Sequence, residues 1–211
     1  MTGYTLTYFP IRGRGEPIRL LLADNGVSWK DDEVQMQDWQ AGKVELKKTA
    51  IFGQMPRFQD GDFAIYQSNA ILRYLGRKHG LNGSNEKEST KIDMINDGVE
   101  DLRQKYYRFL FTDNEENKDK YLQDLNTFLG YFEKILSENS KGSKYLVGDK
   151  ISYADYNLLD TLQCNLDLSP TCLSKYPLLS AYVERIISHP KLSAYLKSDG
   201  RKRRPITPKH K

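Results

Sequence analysis

Residues 52–76 read FGQMPRFQDGDFAIYQSNAILRYLG, and this stretch decides the architecture of the first part of the chain. Within it, RFQDGDFAIY (57–66) sets two β-type runs around Asp60-Gly61, a dipeptide favoured in two-residue hairpin turns. Pro56 stands directly before the first run, where a residue lacking an N–H can start a strand. After Tyr66 the period of the apolar residues changes from two to that of a helix, with Ile71, Leu72 and Leu75 on one face. Gln67, Ser68 and Asn69 crowd the start of that helix. Helix starts leave backbone N–H groups without partners and carry partial positive charge, so Gln67 and Ser68 either cap the helix or seat an anion.

Upstream, YTLTYF (4–9) alternates Tyr4, Leu6 and Tyr8 against Thr5, Thr7 and Phe9, as a strand does. A Gly-rich turn leads into GEPIRLLLADNG (15–26), a helix with Pro17 near its first position and Asn25-Gly26 at its end. VSWKDDEV (27–34) predicts a short strand, and the segment through Trp39 and KVELKK (43–48) predicts irregular structure. Residues 1–80 thus form an α/β unit of order β-α-β-irregular-β-β-α.

Downstream, residues 81–88 predict a polar, glycine-bearing linker, and strand signals vanish beyond it. Ile92, Ile95, Val99, Leu102, Tyr106 and Phe109 mark one long helix, and Leu122, Leu125, Leu129, Phe132 and Leu136 a second. Ser152 and Asp155 stand in capping-box positions before a third, with Asp in place of the usual Glu or Gln. Two shorter helices follow, the first ended by Pro190. Residues 89–211 are therefore expected to form an all-α domain.

Composition narrows the function classes. The chain has 211 residues, 38% hydrophobic and 28% charged, and no apolar run approaches the roughly 20 residues of a membrane span. The N-terminus shows no signal-peptide pattern, and Cys164 and Cys172 are the only cysteines, without metal-ligand spacing. A disulfide scaffold, a metal site and a dithiol redox centre are not expected; a cytoplasmic location is. His79, His189 and His210 are scattered, which predicts surface or chain-end roles. The net charge of +4 owes much to the tail GRKRRPITPKHK (200–211), predicted to be a solvated segment rather than a nucleic-acid or lipid contact.

Four stretches carry a family likeness: residues 4–26, residues 52–76, DMINDGVEDLRQKY (93–106) and GDKISYADYNLLD (148–160). In this order they identify the chain as similar to the cytosolic glutathione S-transferases, most of all to the pi class. The resemblance implies a thioredoxin-like N-terminal domain with a mixed four-stranded sheet and an all-helical C-terminal domain. It also implies a cytoplasmic homodimer that needs no cofactor beyond glutathione as co-substrate, and a detoxifying attack of the glutathione thiolate on hydrophobic electrophiles.

The chemistry of that reaction sets what the residues must do. A thiol with a pKa of about 8.5 is only a few per cent ionised at pH 7. Lowering that pKa by about two units takes roughly 2.7 kcal/mol of preferential interaction with the anion. One hydrogen bond to a charged acceptor contributes about 1.5–3 kcal/mol, so one hydroxyl can supply most of it.

The resemblance gives that hydroxyl to Tyr8, whose other role would be that of a core residue on an alternating strand. Arg14 would add positive charge near the sulfur. Met55, before a Pro56 that is typically cis in such folds, would pair its backbone with the cysteinyl unit. Ser68 and Gln67 would hold the γ-glutamyl carboxylate. Gln54, Trp39 and Lys47 would lie at the glycyl end. The Lys-rich loop is about two residues longer than usual for the class, and Lys43 or Lys48 could replace Lys47.

Asp101 would reach across the dimer to the γ-glutamyl amine. Phe52 would plug into a receptacle containing Met94, Ile95 and Gly98 of the neighbouring subunit, unless these four are ordinary core residues. The electrophile pocket would draw on Phe9, Ile11, Met36, Tyr107 and Phe111. Phe111 stands where pi-class proteins commonly carry Tyr, and Ala50 where a reactive cysteine often lies; these differences bear on substrate range and thiol regulation. The rival function is a non-catalytic ligand-binding or kinase-regulating protein on the same scaffold. A lens-type structural role is disfavoured by the full set of site residues.

Overall fold

A computed structural model describes residues 3–112 and 115–207. The chain divides into two compact units, residues 1–74 with 189–211, and residues 75–188.

The first unit is built on a four-stranded sheet of order β2-β1-β3-β4. Its strands are β1 (Tyr4–Tyr8), β2 (Trp29–Glu33), β3 (Arg57–Asp60) and β4 (Phe63–Tyr66). β1 runs parallel to β2 and antiparallel to β3, and β3 runs antiparallel to β4. The first crossover is helix α1 (Glu16–Asp24), with Pro17 in its first turn and Gly26 at φ 66° just past its end. The hairpin turn is Gly61-Asp62 rather than Asp60-Gly61. Asp60 still pairs with Phe63, and Gly61 takes φ 61° as the first central residue.

Two short helices, α2 (Met36–Gln40) and α3 (Glu45–Thr49), replace the irregular stretch expected between β2 and β3. Each has five residues, too few for a periodic apolar face to be read in the sequence. Helix α4 (Ser68–Lys78) follows β4, and the boundary between the units falls within it.

The second unit contains α5 (Glu86–Phe111), α6 (Glu115–Glu138), α7 (Tyr153–Leu168) and α8 (Pro177–Ile187). The predicted linker is partly helical, because Asn85 caps α5 by accepting the Glu88 N–H at 3.0 Å. The stripe Ile92, Ile95, Val99, Leu102 and Tyr106 is buried. On α6 the buried stripe begins at Tyr121 rather than Leu122 and continues through Leu125, Leu129, Phe132 and Leu136. Asp155 accepts the Ser152 N–H at 2.7 Å, so Asp serves the capping box.

Helices α9 (Pro190–Lys197) and α10 (Asp199–Lys202) belong to the first unit, not to the helical one, and α9 packs on α1. Pro190 opens α9 instead of ending α8, a position where its missing N–H is not needed. Much of the tail expected to be solvated is built in: Arg201, Arg204, Ile206 and Thr207 are buried. Carboxylates explain the burial of the arginines. Arg201 pairs with Glu16 at 2.5 Å, and Arg204 with Asp31 at 2.9 Å and Glu33 at 2.8 Å. His189 also has a specific place, with Nδ1 2.8 Å from Asp24. His210 lies outside the described residues. No described helix is long and apolar enough to cross a membrane.

Candidate active site at one end of the sheet

The pairing register gathers the expected ligands of the first unit. Tyr8 is the last residue of β1, and its neighbour Thr7 pairs with Arg57, the first residue of β3. Arg57 pairs in turn with Tyr66, the last residue of β4. Tyr8, the Met55-Pro56 corner and Gln67 therefore share one end of the sheet, and the Met55–Pro56 peptide is cis.

Tyr8 is buried, and its hydroxyl oxygen accepts the backbone N–H of Arg14 at 3.0 Å. This bond fixes the ring and polarises the O–H as a donor. Arg14 thus reaches Tyr8 through its backbone, whereas the sequence pointed only to its charge. The turn that presents this N–H is a 3-10 turn over Gly13–Gly15. Both glycines are required by Tyr8: a Cβ on Gly13, at φ +41°, would lie 2.7 Å from the hydroxyl oxygen, and one on Gly15 2.8 Å from the ring. These two site residues were missed from the sequence; the signal was the pair of glycines flanking Arg14 directly after a strand.

Gln67 has φ 69°, a left-handed conformation uncommon outside glycine and frequent at ligand sites. Its carbonyl accepts the Ile71 N–H at 3.0 Å, so Gln67 takes the N-cap place and Ser68 opens the helix proper. Ser68 is largely buried at this positive end of α4. The Gln67 side-chain amide donates to Gln54 Oε1 at 3.1 Å. Gln54, expected at the glycyl end, is thus beside Gln67 at the α4 start.

Trp39 lies on α2 rather than in a polar loop and is mostly buried, its ring edge-on to Phe9 at 6.0 Å. Lys47 donates to the Trp39 carbonyl at 2.9 Å and sits 5.9 Å from its ring centre. The other two lysines point elsewhere: Lys43 pairs with Asp38 at 3.7 Å and Lys48 with Glu45 at 3.1 Å. Of the apolar candidates here, Phe9 meets Tyr8 with the rings tilted at 49° and centroids 5.3 Å apart, Ile11 is at the margin of burial, and Met36 begins α2 half-buried.

On the second unit, Tyr107 and Phe111 share a face of α5 with ring centroids 6.5 Å apart. Asp101 is exposed on the same helix. Phe52 and Met94 are 63% and 66% exposed, so neither is a core residue of this chain, whereas Ile95 is buried. A Cβ on Gly98 would meet open space. Met94 and Ile95 line a pocket of about 310 Å³ together with Ile135, Leu146 and Val147.

A mixed sheet of this order with a cis-proline corner before β3 defines a thioredoxin-like domain, here joined to a helical unit. The glutathione S-transferase N-terminal domain model matches residues 4–77, and the glutathione S-transferase C-terminal domain model matches residues 100–199. Glutathione S-transferase P 1 of Xenopus laevis is 66% identical over 211 residues, all of both chains. Glutathione S-transferase P 2 of Bufo bufo is 69% identical over 205 residues, 97% of each chain. The solved structure of the Onchocerca volvulus pi-class glutathione S-transferase superposes with a TM-score of 0.91 at 43% identity, covering 98% of each chain. The chain therefore belongs to the glutathione S-transferase family, in its pi class.

Proposed function

We propose that this protein is a glutathione transferase that joins the sulfur of reduced glutathione to hydrophobic electrophiles. The observation that carries this function is the buried Tyr8 hydroxyl, held by the Arg14 N–H at 3.0 Å. Tyr8 donates its proton in a hydrogen bond to the thiolate and keeps it; the thiol proton leaves to solvent. The thiolate then attacks an electrophilic carbon. A C–S bond forms, and either a leaving group departs with its electron pair or the adduct takes up a proton.

The tripeptide lies along the end of the sheet. Met55 pairs with its cysteinyl backbone as an added strand would. The α4 start, with Ser68 and Gln67, takes the γ-glutamyl carboxylate. Trp39 and Lys47 take the glycyl carboxylate. No cofactor takes part.

The active form is a homodimer in the cytoplasm, and its role is detoxification. Phe52 of one protomer enters the pocket bordered by Met94 and Ile95 of its partner. The partner subunit's Asp101 completes the γ-glutamyl site. An exposed aromatic seated in a partner's pocket is the kind of anchor that dominates interface energetics.

The test is conjugation of glutathione to 1-chloro-2,4-dinitrobenzene by the native protein and by Tyr8→Phe, with glutathione binding measured in both. The expected result is turnover by the native protein and a mutant that binds glutathione but loses most activity. A protein that binds glutathione and turns over no member of a broad electrophile panel would instead be a binder.

A further inference from the structure

The C-terminal segment is fastened to the turn that holds Tyr8. Pro205 and Ile206 offer their carbonyls to the backbone N–H groups of Arg12 (2.8 Å) and Gly13 (3.1 Å). Arg12 returns a side-chain bond, Nε to the Arg204 carbonyl at 3.1 Å. Arg12 is in turn the foot of the 3-10 turn, its carbonyl accepting from Gly15 at 3.1 Å and Glu16 at 3.0 Å. Two residues beyond Arg12, the Arg14 N–H meets the Tyr8 hydroxyl.

Arg201 on Glu16 and Arg203 on Glu33 help to hold the segment, and Arg204 makes the most contacts. Its guanidinium is buried and spans Asp31 (2.9 Å) and Glu33 (2.8 Å) on β2, while Nη1 donates to the Gly200 carbonyl at 3.0 Å. Glu33 pairs with Tyr8 in the β1–β2 ladder. Arg204 therefore ties the tail to the strand beside Tyr8, and the tail's carbonyls tie down the turn that meets its ring and hydroxyl. A planar, two-carboxylate clamp of this kind is a task for Arg, which Lys meets only in part.

We propose that Arg204 is a positioning residue for Tyr8: through the strap 204–206 it fixes the Gly13–Gly15 turn, and so the hydroxyl that stabilises the glutathione thiolate. This rests on the assignment of Tyr8 as thiolate donor. A loosened turn lets the ring and the Arg14 N–H drift, and thiolate stabilisation falls steeply with small misplacements of a donor.

The test is the apparent pKa of the thiol in protein-bound glutathione, read from thiolate ultraviolet absorbance without electrophile. It is measured for the native protein, Tyr8→Phe, Arg204→Ala, Arg204→Lys and a chain ending at Arg204, with glutathione affinity and thermal midpoint recorded for each. The expected result is a thiol pKa raised by about one unit in Arg204→Ala and in the shortened chain, with partial recovery in Arg204→Lys, on the scale where one unit is a tenfold change in ionisation. A role in stability alone would lower the thermal midpoint and leave the thiol pKa in place; that result overturns the proposal. If Arg204→Ala does not fold, Arg204→Lys decides by the same criterion, and the shortened chain, which keeps the Arg204 side chain, tests the carbonyl strap alone. An unchanged pKa in Tyr8→Phe would refute the Tyr8 assignment itself, and the proposal with it.

Discussion

A Cβ built on Gly15 would stand 2.8 Å from Cδ1 of Tyr8, well inside the 3.5–4.0 Å or so at which carbon atoms rest against each other. The backbone of the turn and the ring of the proposed donor are therefore in direct contact, and the sequence must keep glycine there. Gly15→Ala is expected to push the ring aside and lower kcat/KM by about tenfold to a hundredfold, the range that follows from small displacements of a catalytic group. Steady-state kinetics with a thermal melt checks this; full activity would mean that the ring moves without consequence.

Lys47 is the lysine that the fold holds against Trp39, while Lys43 and Lys48 pair with local carboxylates. Lys47→Ala is expected to raise KM for glutathione by about tenfold, as loss of one charged hydrogen bond does, with little change in kcat. Lys43→Ala and Lys48→Ala are expected to leave KM nearly unchanged. Kinetics at varied glutathione distinguishes them, and a larger effect from Lys43 or Lys48 would reassign the glycyl end.

Phe52 projects from the protein with 63% exposure, which suits an anchor for a second copy. Phe52→Glu is expected to weaken self-association by about thirtyfold or more, corresponding to the 2 kcal/mol or so of an interface hot spot. Glutathione affinity should fall with it, because the contribution proposed for Asp101 of the second copy is withdrawn. Sedimentation velocity across a dilution series reads the first effect, and binding calorimetry the second.

Asp155 is a stability determinant of the helical unit. Its two oxygens accept from the Leu146 N–H (3.0 Å), the Tyr182 hydroxyl (3.0 Å), the Ser152 N–H (2.7 Å) and the Ser152 hydroxyl (2.6 Å). Burial pushes the carboxyl pKa up, and these donors pull against it. Asp155→Ala strands several buried donors at once and is expected to cost about 3 kcal/mol or more. Chemical denaturation measures this, and a loss below about 1 kcal/mol would show that solvent replaces the carboxylate.

The sequence made the long-range frame legible where period and punctuation agree. The alternation of YTLTYF, the hairpin around Gly61 and the stripes of α5 and α6 each repeat a signal over several residues. The capping box at Ser152 and Asp155 was legible for the same reason, as two polar residues at fixed spacing before an apolar run. What failed was short or non-local. Helices α2 and α3 are too brief to show a period, so Trp39 was expected in a loop. The basic tail read as solvated because its acceptors, Asp31 and Glu33, lie about 170 residues away in sequence. Charge runs do not announce buried partners that distant. Gly13 and Gly15 were seen as a turn but not as the wall of a ring, since close approach is a property of the folded chain.

The proposed mechanism rests on Tyr8 lowering the pKa of the glutathione thiol. Its most direct measurement is the spectroscopic titration of that thiol when bound to the native protein and to Tyr8→Phe. The expected result is a bound thiol ionising about two units below the free value of about 8.5, with most of that shift lost in the mutant. A bound thiol that titrates near the free value in both proteins, or near the lowered value in both, would contradict it.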